Sequence, residues 1–298
     1  MIPMMQAVSP LRYPGGKAKL YFYVKKLLIA NNLHGSATYV EPFAGGSGLA
    51  IKLLLNNDVK KIVINDLDAA IYYFWKAILE HTDDFINLID STDVTVDEWI
   101  RQKSIYKKAD TSNVLKFAFS VFYLNRTNVS GILKGGVIGG LNQEGTYKID
   151  ARFNKERLKL LINEIARNRS KILLFNMDAS ELLTSPTIVH SKKAFIFFDP
   201  PYVKKGAQLY KNFFKENDHI SLSESISLCK KKWITTYDMS ELIERLYSRY
   251  RHSKICLNYS IREKVQAQEL IIFSQNLKVP TVFLEKPYPV TKQKGLLL

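Results

Sequence analysis

The stretch Phe195-Ile196-Phe197-Phe198 constrains the fold more than any other part of the chain. Four consecutive apolar residues leave no polar face to offer to water, so a strand built from them must be covered on both sides. Such strands sit in the middle of parallel sheets with helices packed above and below. Directly after it comes Asp199-Pro200-Pro201-Tyr202. Two successive prolines fix φ and remove two backbone donors. The strand therefore ends there, and the chain leaves it as a stiff segment carrying a carboxylate and bare carbonyl oxygens.

The same alternation recurs elsewhere. Thr38-Tyr39-Val40 reads as a strand, followed by the turn Glu41-Pro42-Phe43-Ala44-Gly45-Gly46-Ser47-Gly48 and an apolar helix from Leu49 to Leu55. A second strand, Lys61 to Ile64, leads through Asn65-Asp66 into a helix from Ala69 to Glu80. This is a βαβ unit with a glycine-rich first turn. Further strands are expected at Ile172–Phe175, Trp233–Thr236, Ile255–Tyr259 and Glu269–Ser274. Between the two halves, the pattern turns helical, polar and basic, with glycines concentrated between Gly131 and Gly145. The expected organisation is one α/β domain made of residues 1–84 and 168–298, interrupted by an insertion at 85–167 that carries a glycine-rich hairpin.

In open α/β sheets ligands bind beyond the carboxyl ends of the strands. Glu41, Asp66 and Asp199 fall at such ends, and Asp178 follows one closely. Asp66 lies 21 positions after Gly45, a spacing suited to a carboxylate that holds a ribose hydroxyl pair. The turn reads Gly-Gly-Ser-Gly rather than Gly-x-Gly-x-x-Gly, so a nucleoside cofactor without phosphates fits it better than a dinucleotide. The plainer reading is an ordinary βα turn. At the other motif, the Asp199 carboxylate and the Pro200 carbonyl could together accept both protons of an amino group. Tyr202 offers a ring on which an extruded base could stack. Its plainer reading is a proline-rich strand exit with a capping aspartate.

Charge narrows the partners. Lysine and arginine total 43 against 28 acidic residues, a net charge of +15. That excess suits a polyanion such as nucleic acid. The two cysteines, Cys229 and Cys256, form neither a metal-ligand spacing nor a disulfide framework. They read as buried free thiols, and no metal is expected. There is no apolar run of membrane-spanning length and no signal-peptide pattern, so the cytoplasm is the expected compartment and no membrane partner is expected.

Together these residues resemble the Dam-type family of DNA adenine methyltransferases, nearly from end to end. Leu11-Arg12-Tyr13-Pro14-Gly15-Gly16-Lys17 is similar to the family's N-terminal cofactor motif, Glu41–Gly48 to its glycine turn, Asp199–Tyr202 to its catalytic Asp-Pro-Pro-Tyr, and Phe122-Tyr123-Leu124-Asn125-Arg126 to the start of its recognition lobe. The resemblance implies a Rossmann-like S-adenosylmethionine-dependent methyltransferase sheet with an inserted, mostly helical DNA-recognition lobe. It implies methyl transfer from S-adenosylmethionine to the exocyclic amine of adenine in duplex DNA, by base flipping and direct in-line transfer. Asp199, Pro200 and Tyr202 would be catalytic. Tyr13, Lys17, Glu41, Phe43, Gly45, Asp66, Leu67, Asp178 and Asp199 would hold the cofactor. At Asp178 the chain departs from the pattern, because Ala179 stands where an aromatic is common. Arg126, Asn128, Ser130 and Lys134 are the candidate DNA contacts. The GATC-specific members carry an aromatic and an asparagine where this chain has Val129 and Ser130, so a site other than plain GATC is expected. A monomer is expected, with a cognate restriction nuclease as an open partner. An RNA adenine methyltransferase and a catalytically degenerate DNA-binding protein are the alternatives. Enzymes acting on glutamine amides or cytosine amines tend to carry Asn or Ser in place of Asp199.

Overall fold

The computed structural model describes residues 9–13, 15–203, 214–260, 264–284 and 288–289, with the backbone alone at 256–260, 264–267 and 288–289. Pro14 and Cys256, both named above, therefore lie outside the residues whose side chains are described.

Five parallel strands form the body of the sheet: β1 (Thr38–Glu41), β2 (Lys61–Asn65), β3 (Ile172–Phe175), β4 (Ala194–Phe198) and β5 (Lys232–Asp238). Two long strands, β6 (Arg251–Ser260) and β7 (Lys264–Phe273), and the short β8 (Tyr288–Pro289) complete it in the order β3-β2-β1-β4-β5-β7-β6-β8. β7 runs antiparallel to both β5 and β6. As its composition requires, β4 is central and every residue of it is buried. The order reverses between β1 and β4, whose register pairs Thr38 with Ala194 and Val40 with Ile196.

Helices cover both faces. On one side lie α1 (Tyr21–Ala30), α2 (Gly48–Leu55) and α3 (Ala69–Glu80); Asp68 caps α3 by accepting from the Ala70 N–H. Three more helices stack on α3, α4 (Thr82–Ser91), α6 (Val114–Thr127) and α7 (Lys155–Arg167), and α5 (Val96–Lys108) packs on α6. Their apolar cluster is continuous with the sheet's own, running from Phe195 and Phe197 through Phe74 to Phe85, Phe119 and Phe122. The Phe74 and Phe122 rings stack at 6.0 Å. Residues 85–167 are mostly helical, and their core is shared with the sheet face. The opposite face is packed by α8 (Ala179–Thr184), α9 (Pro186–Val189), α10 (Glu216–Leu228) and α11 (Glu241–Leu246) around Phe198, Trp233 and Ile272. Cys229, just after α10, is half-buried, and burial pushes its thiol pKa up.

No helix among the described residues is long and apolar enough to cross a membrane.

Candidate active site

The reversal between β1 and β4 opens a crevice at the carboxyl edge of the sheet, where α/β sheets bind their ligands. Glu41 ends β1 there, Asp66 follows β2, Asp178 follows β3, and Asp199 follows β4. A cavity of about 510 Å³ occupies the crevice and is lined by all four acids.

The glycine turn forms its floor. Gly45 has φ +47°, and a Cβ built on it would lie 2.7 Å from the Tyr13 ring, so glycine is required by both backbone and neighbour. Tyr13 thus folds over the turn, and Tyr13, Gly46 and Gly48 line the cavity, whereas Gly45, expected at the cofactor, does not. The Gly45 N–H donates to Asp66 Oδ2 (2.8 Å), and the Asp68 N–H donates to Asp66 Oδ1 (2.9 Å). Each carboxylate oxygen retains a second lone pair for a ligand. Burial pushes the Asp66 carboxyl up to about 6, with those two backbone bonds acting in the opposite direction. Trp75 Nε1–H donates to the Gly45 carbonyl (3.0 Å) and holds the turn from beneath.

Glu41 has a different neighbourhood from Asp66. Its carboxylate accepts from Ser47 Oγ (2.7 Å), the Ala50 N–H (3.2 Å) and Tyr39 Oη (3.2 Å), so it ties the strand end to the first turn of α2. Burial raises its carboxyl to about 7, with the Asp199 charge adding to the rise and the three bonds opposing it.

Asp199 Oδ1 receives Thr236 Oγ1 (2.8 Å) and the Lys17 ammonium (2.9 Å). Both contacts fall on one oxygen. Lys17 is buried, donates also to the Gly15 carbonyl (2.9 Å), and lies 3.9 Å from Glu269 Oε2 and 5.0 Å from the centre of the Tyr202 ring. The residue expected at the cofactor is thus joined directly to the expected catalytic carboxylate. Pro200 and Tyr202 are buried behind it, with the Tyr202 ring tilted against Tyr237 at 6.4 Å; Pro201, rather than either of them, lines the cavity.

Phe43, half-exposed Leu67, Met177 and exposed Asp178 complete the wall. Asp178 also caps α8 by accepting from the Ser180 N–H (2.7 Å). Behind the wall, Asn65 ties three strand exits together: it donates to the Pro42 and Met177 carbonyls (2.9 and 3.0 Å) and accepts from the Met177 N–H.

The candidate DNA contacts divide. Arg126 and Lys134 line the far end of the same cavity, and Lys134 is exposed. Ser130 sits on the turn beside them with φ +57°. Asn128 has no accessible surface; it donates to the Ile132 and Leu133 carbonyls (2.8 and 3.1 Å) and accepts from Trp99 Nε1–H (2.6 Å). The structure gives it the job of shaping the turn, not of presenting a side chain to DNA. An antiparallel bridge between Asn128 and Val137 closes this segment, and Gln143 pins its outer loop to the Ile138 and Gly140 carbonyls. Gly131, at φ +76°, docks so closely on Arg12 that a Cβ would lie 2.6 Å from its carbonyl oxygen.

Sequence reasoning missed Thr236, Asn65 and the scaffold role of Asn125. Asn125 accepts from the Arg12 N–H (2.7 Å) and donates to the Arg12 and Gly131 carbonyls, joining the N-terminal motif to the recognition segment. Asn65 is a polar residue at a strand end and Asn125 a polar residue among the buried apolar ones of α6, which was the available signal; Thr236, inside β5, offered none. Among the described residues no group of three or more His, Cys, Asp or Glu could hold a metal ion.

A sheet of this order, with an acid-lined cavity at its reversal and an Asp-Pro-Pro-Tyr exit beside a glycine turn, defines a Rossmann-like methyltransferase. The chain belongs to the D12 class N6 adenine-specific DNA methyltransferase family, whose pattern it matches over residues 13–261. It is 25% identical over 237 residues to the type II methyltransferase M.MjaIII of Methanocaldococcus jannaschii, covering 74% of this chain and 79% of that one. It is 22% identical over 230 residues to the type II methyltransferase M.CviBI of Paramecium bursaria Chlorella virus NC1A, covering 76% and 82%. Among solved structures, M. capricolum TrmK in complex with S-adenosyl-homocysteine aligns with a TM-score of 0.37 and 11% identity, over 89% of this chain and 74% of that one. The protein is therefore an adenine-specific DNA methyltransferase.

Proposed function

We propose that this enzyme methylates adenine in duplex DNA after the base has left the helix stack, with S-adenosylmethionine as the donor. The observation that carries the reading is the opening of Asp199, Tyr13, Gly46 and Asp66 into one cavity, so that an amino group and a nucleoside can be held side by side.

The residues present fit such a donor. A volume of about 510 Å³ suits a ligand of nucleoside size. The wall offers carboxylates, which favour hydroxyls, amines and positive charge, and apolar surfaces at Phe43, Leu67 and Met177. A phosphate-bearing dinucleotide would meet four acids. Asp66 would hold the ribose hydroxyls, Leu67 and Phe43 the adenine, and Tyr13 the roof, with Asp178 at the adenine edge. When bound, the donor supplies an electrophilic methyl group on a sulfonium.

The protein's contribution is positional. Thr236 and Lys17 fix the Asp199 rotamer through Oδ1, which leaves Oδ2 without a hydrogen bond among the described residues. Oδ2 accepts one proton of the adenine amine, and the Asp-Pro-Pro segment beside it, whose Pro201 lines the cavity, offers backbone carbonyls for the other. With both protons held there, the nitrogen lone pair points away from Asp199 and into the cavity, where a bound donor would supply the methyl group. Holding two reactants in attack geometry replaces the entropy of a bimolecular encounter, worth up to about 7–11 kcal/mol in well-oriented systems. Residues 1–84 and 168–298 form the catalytic part in this reading, and 85–167 carry the DNA-reading segment, with Ser130 and Lys134 facing the duplex.

The test is methyl transfer from labelled S-adenosylmethionine to duplex DNA by wild type and Asp199→Ala. The variant should keep its fold and donor affinity and lose transfer. Transfer at near wild-type rate would remove Asp199 from the chemistry.

A further inference from the structure

Arg12 and Arg126 line the far end of the cavity, and Arg152 and Arg157, outside its wall, lie near enough to add their charge to Arg126. Arg12 precedes the Tyr13 motif, Arg126 ends α6, Arg152 follows the glycine-rich segment, and Arg157 lies in the first turn of α7. Among the described residues none of the four is ion-paired with a carboxylate. Arg126 feels the positive charge of the other three, and Arg12 that of Arg152. The Arg126 guanidinium donates to the Arg152 carbonyl, and Arg12 donates to the Asn128 carbonyl (2.9 Å). The Arg126 Nε is shut off from solvent and has no hydrogen-bond partner among the described residues. Arg12 and Arg126 line the same cavity as Asp199. Burial and like charge push the Arg126 guanidinium down to about 9.

Two half-buried guanidiniums, Arg12 and Arg126, without an acid and with exposed Arg152 adding like charge, are costly as they stand, and an anion that bridges them offsets the cost. We propose that Arg12, Arg126 and Arg152 clamp one backbone phosphate of the DNA beside the target adenine. This rests on the reading of the cavity as the place where DNA is methylated. It assigns to Arg126 a sequence-independent contact in place of a base edge. The neighbouring Gly131 and Asn125, which lock Arg12 to the recognition turn, then set the distance between the held phosphate and Asp199.

A phosphate contact and a base contact leave different signatures. A phosphate contact weakens binding uniformly across sequences and carries a salt dependence of about 0.9 in log–log slope, whereas a base contact changes which sequence is preferred. The experiment is binding of a fluorescein-labelled duplex from 50 to 200 mM KCl, for wild type, Arg126→Gln, Arg152→Gln and Arg152→Lys, on one duplex with a mapped methylation site and one with it scrambled. Arg126→Gln and Arg152→Gln should lower affinity for both duplexes by the same factor and make the slope shallower by up to about one. Arg152→Lys should keep the wild-type slope. Arg152 is exposed, so Arg152→Gln leaves the packing intact, and at low salt it should melt no lower than wild type because one repelling charge is gone. Should Arg126→Gln not fold, a methylphosphonate scan serves instead: a single neutral linkage should weaken wild type and leave Arg152→Gln unchanged. Unchanged slopes, a loss confined to the cognate duplex, or no such linkage would overturn the clamp. The two readings fail separately. A protein with these slopes that transfers no methyl group to DNA would sink the proposed function, and one that methylates with slopes unaltered would sink the clamp alone.

Discussion

Glu41→Gln tests the electrostatics of the site without touching the adenine-holding groups. Glu41 is buried, and its carboxyl is pushed from the ordinary 4.5 up to about 7. A carboxyl raised in the folded state contributes stability that is fully present below its unfolded pKa and is lost as pH rises through the folded one. A rise of that size amounts to about 3 kcal/mol in all, most of it lost between pH 5 and pH 8. Glutamine keeps the acceptor for Tyr39 and Ala50 on Oε1, and the Ser47 hydroxyl can rotate to accept from the new amide. It cannot ionise, so the slope disappears. Relative to wild type, Glu41→Gln should gain about 2–3 kcal/mol between pH 5 and pH 8, visible as roughly 5 °C in melting temperature for a chain of this size. The other raised carboxyl, Asp66, is present in both proteins and cancels in the difference. The assay is thermal and urea unfolding across that range. Parallel stability–pH curves for the two proteins would refute the reasoning, and so would a variant whose disadvantage grows with pH.

Asp66→Ala should weaken S-adenosylmethionine binding by about 1.5–3 kcal/mol in calorimetry, and wild-type affinity should itself fall below about pH 6, where the carboxyl takes up a proton; a pH-independent affinity left unchanged by the substitution would remove Asp66 from the donor site. Gly131→Ala should cost at least about 1–2 kcal/mol in stability for the left-handed φ alone, with a clash on the Arg12 carbonyl added, and a neutral result in urea unfolding would contradict the docking of the recognition turn. Asn128→Ala should destabilise by about 1–3 kcal/mol because it leaves Trp99 Nε1–H buried without an acceptor. A large loss of DNA affinity at unchanged stability would instead make Asn128 a DNA contact. Because Val129 and Ser130 stand where the GATC-specific members carry an aromatic and an asparagine, we expect a preferred site other than plain GATC, which a methylation map of mixed genomic DNA checks directly.

What was readable in the sequence had a one-dimensional signature. Phe195–Phe198 announces a covered central strand because nothing in it can face water, and the helix from Ala69 to Glu80 lies where its apolar spacing and the Asp68 cap put it. The strand-end acids follow from the same reasoning, since residues just past parallel strands must collect on one edge. Contacts across the sheet left no such trace. Lys17 reads as a cofactor contact, yet its ammonium reaches Asp199 because the N-terminal segment crosses the mouth of β4. Thr236 is an ordinary strand residue until β5 is set beside β4. Asn128 sits in a polar, glycine-rich stretch that looks exposed, and only the approach of Trp99 from α5 buries it. The arginine cluster likewise exists only once four segments have converged.

The most direct test of the central claim is a base-resolution map of modified adenines in duplex DNA treated with S-adenosylmethionine and either wild type or Asp199→Ala. We expect N6-methyladenine at one recurring short sequence with wild type and none above background with the variant. Methylation of a base other than adenine, or an Asp199→Ala map that matches wild type, would contradict the account.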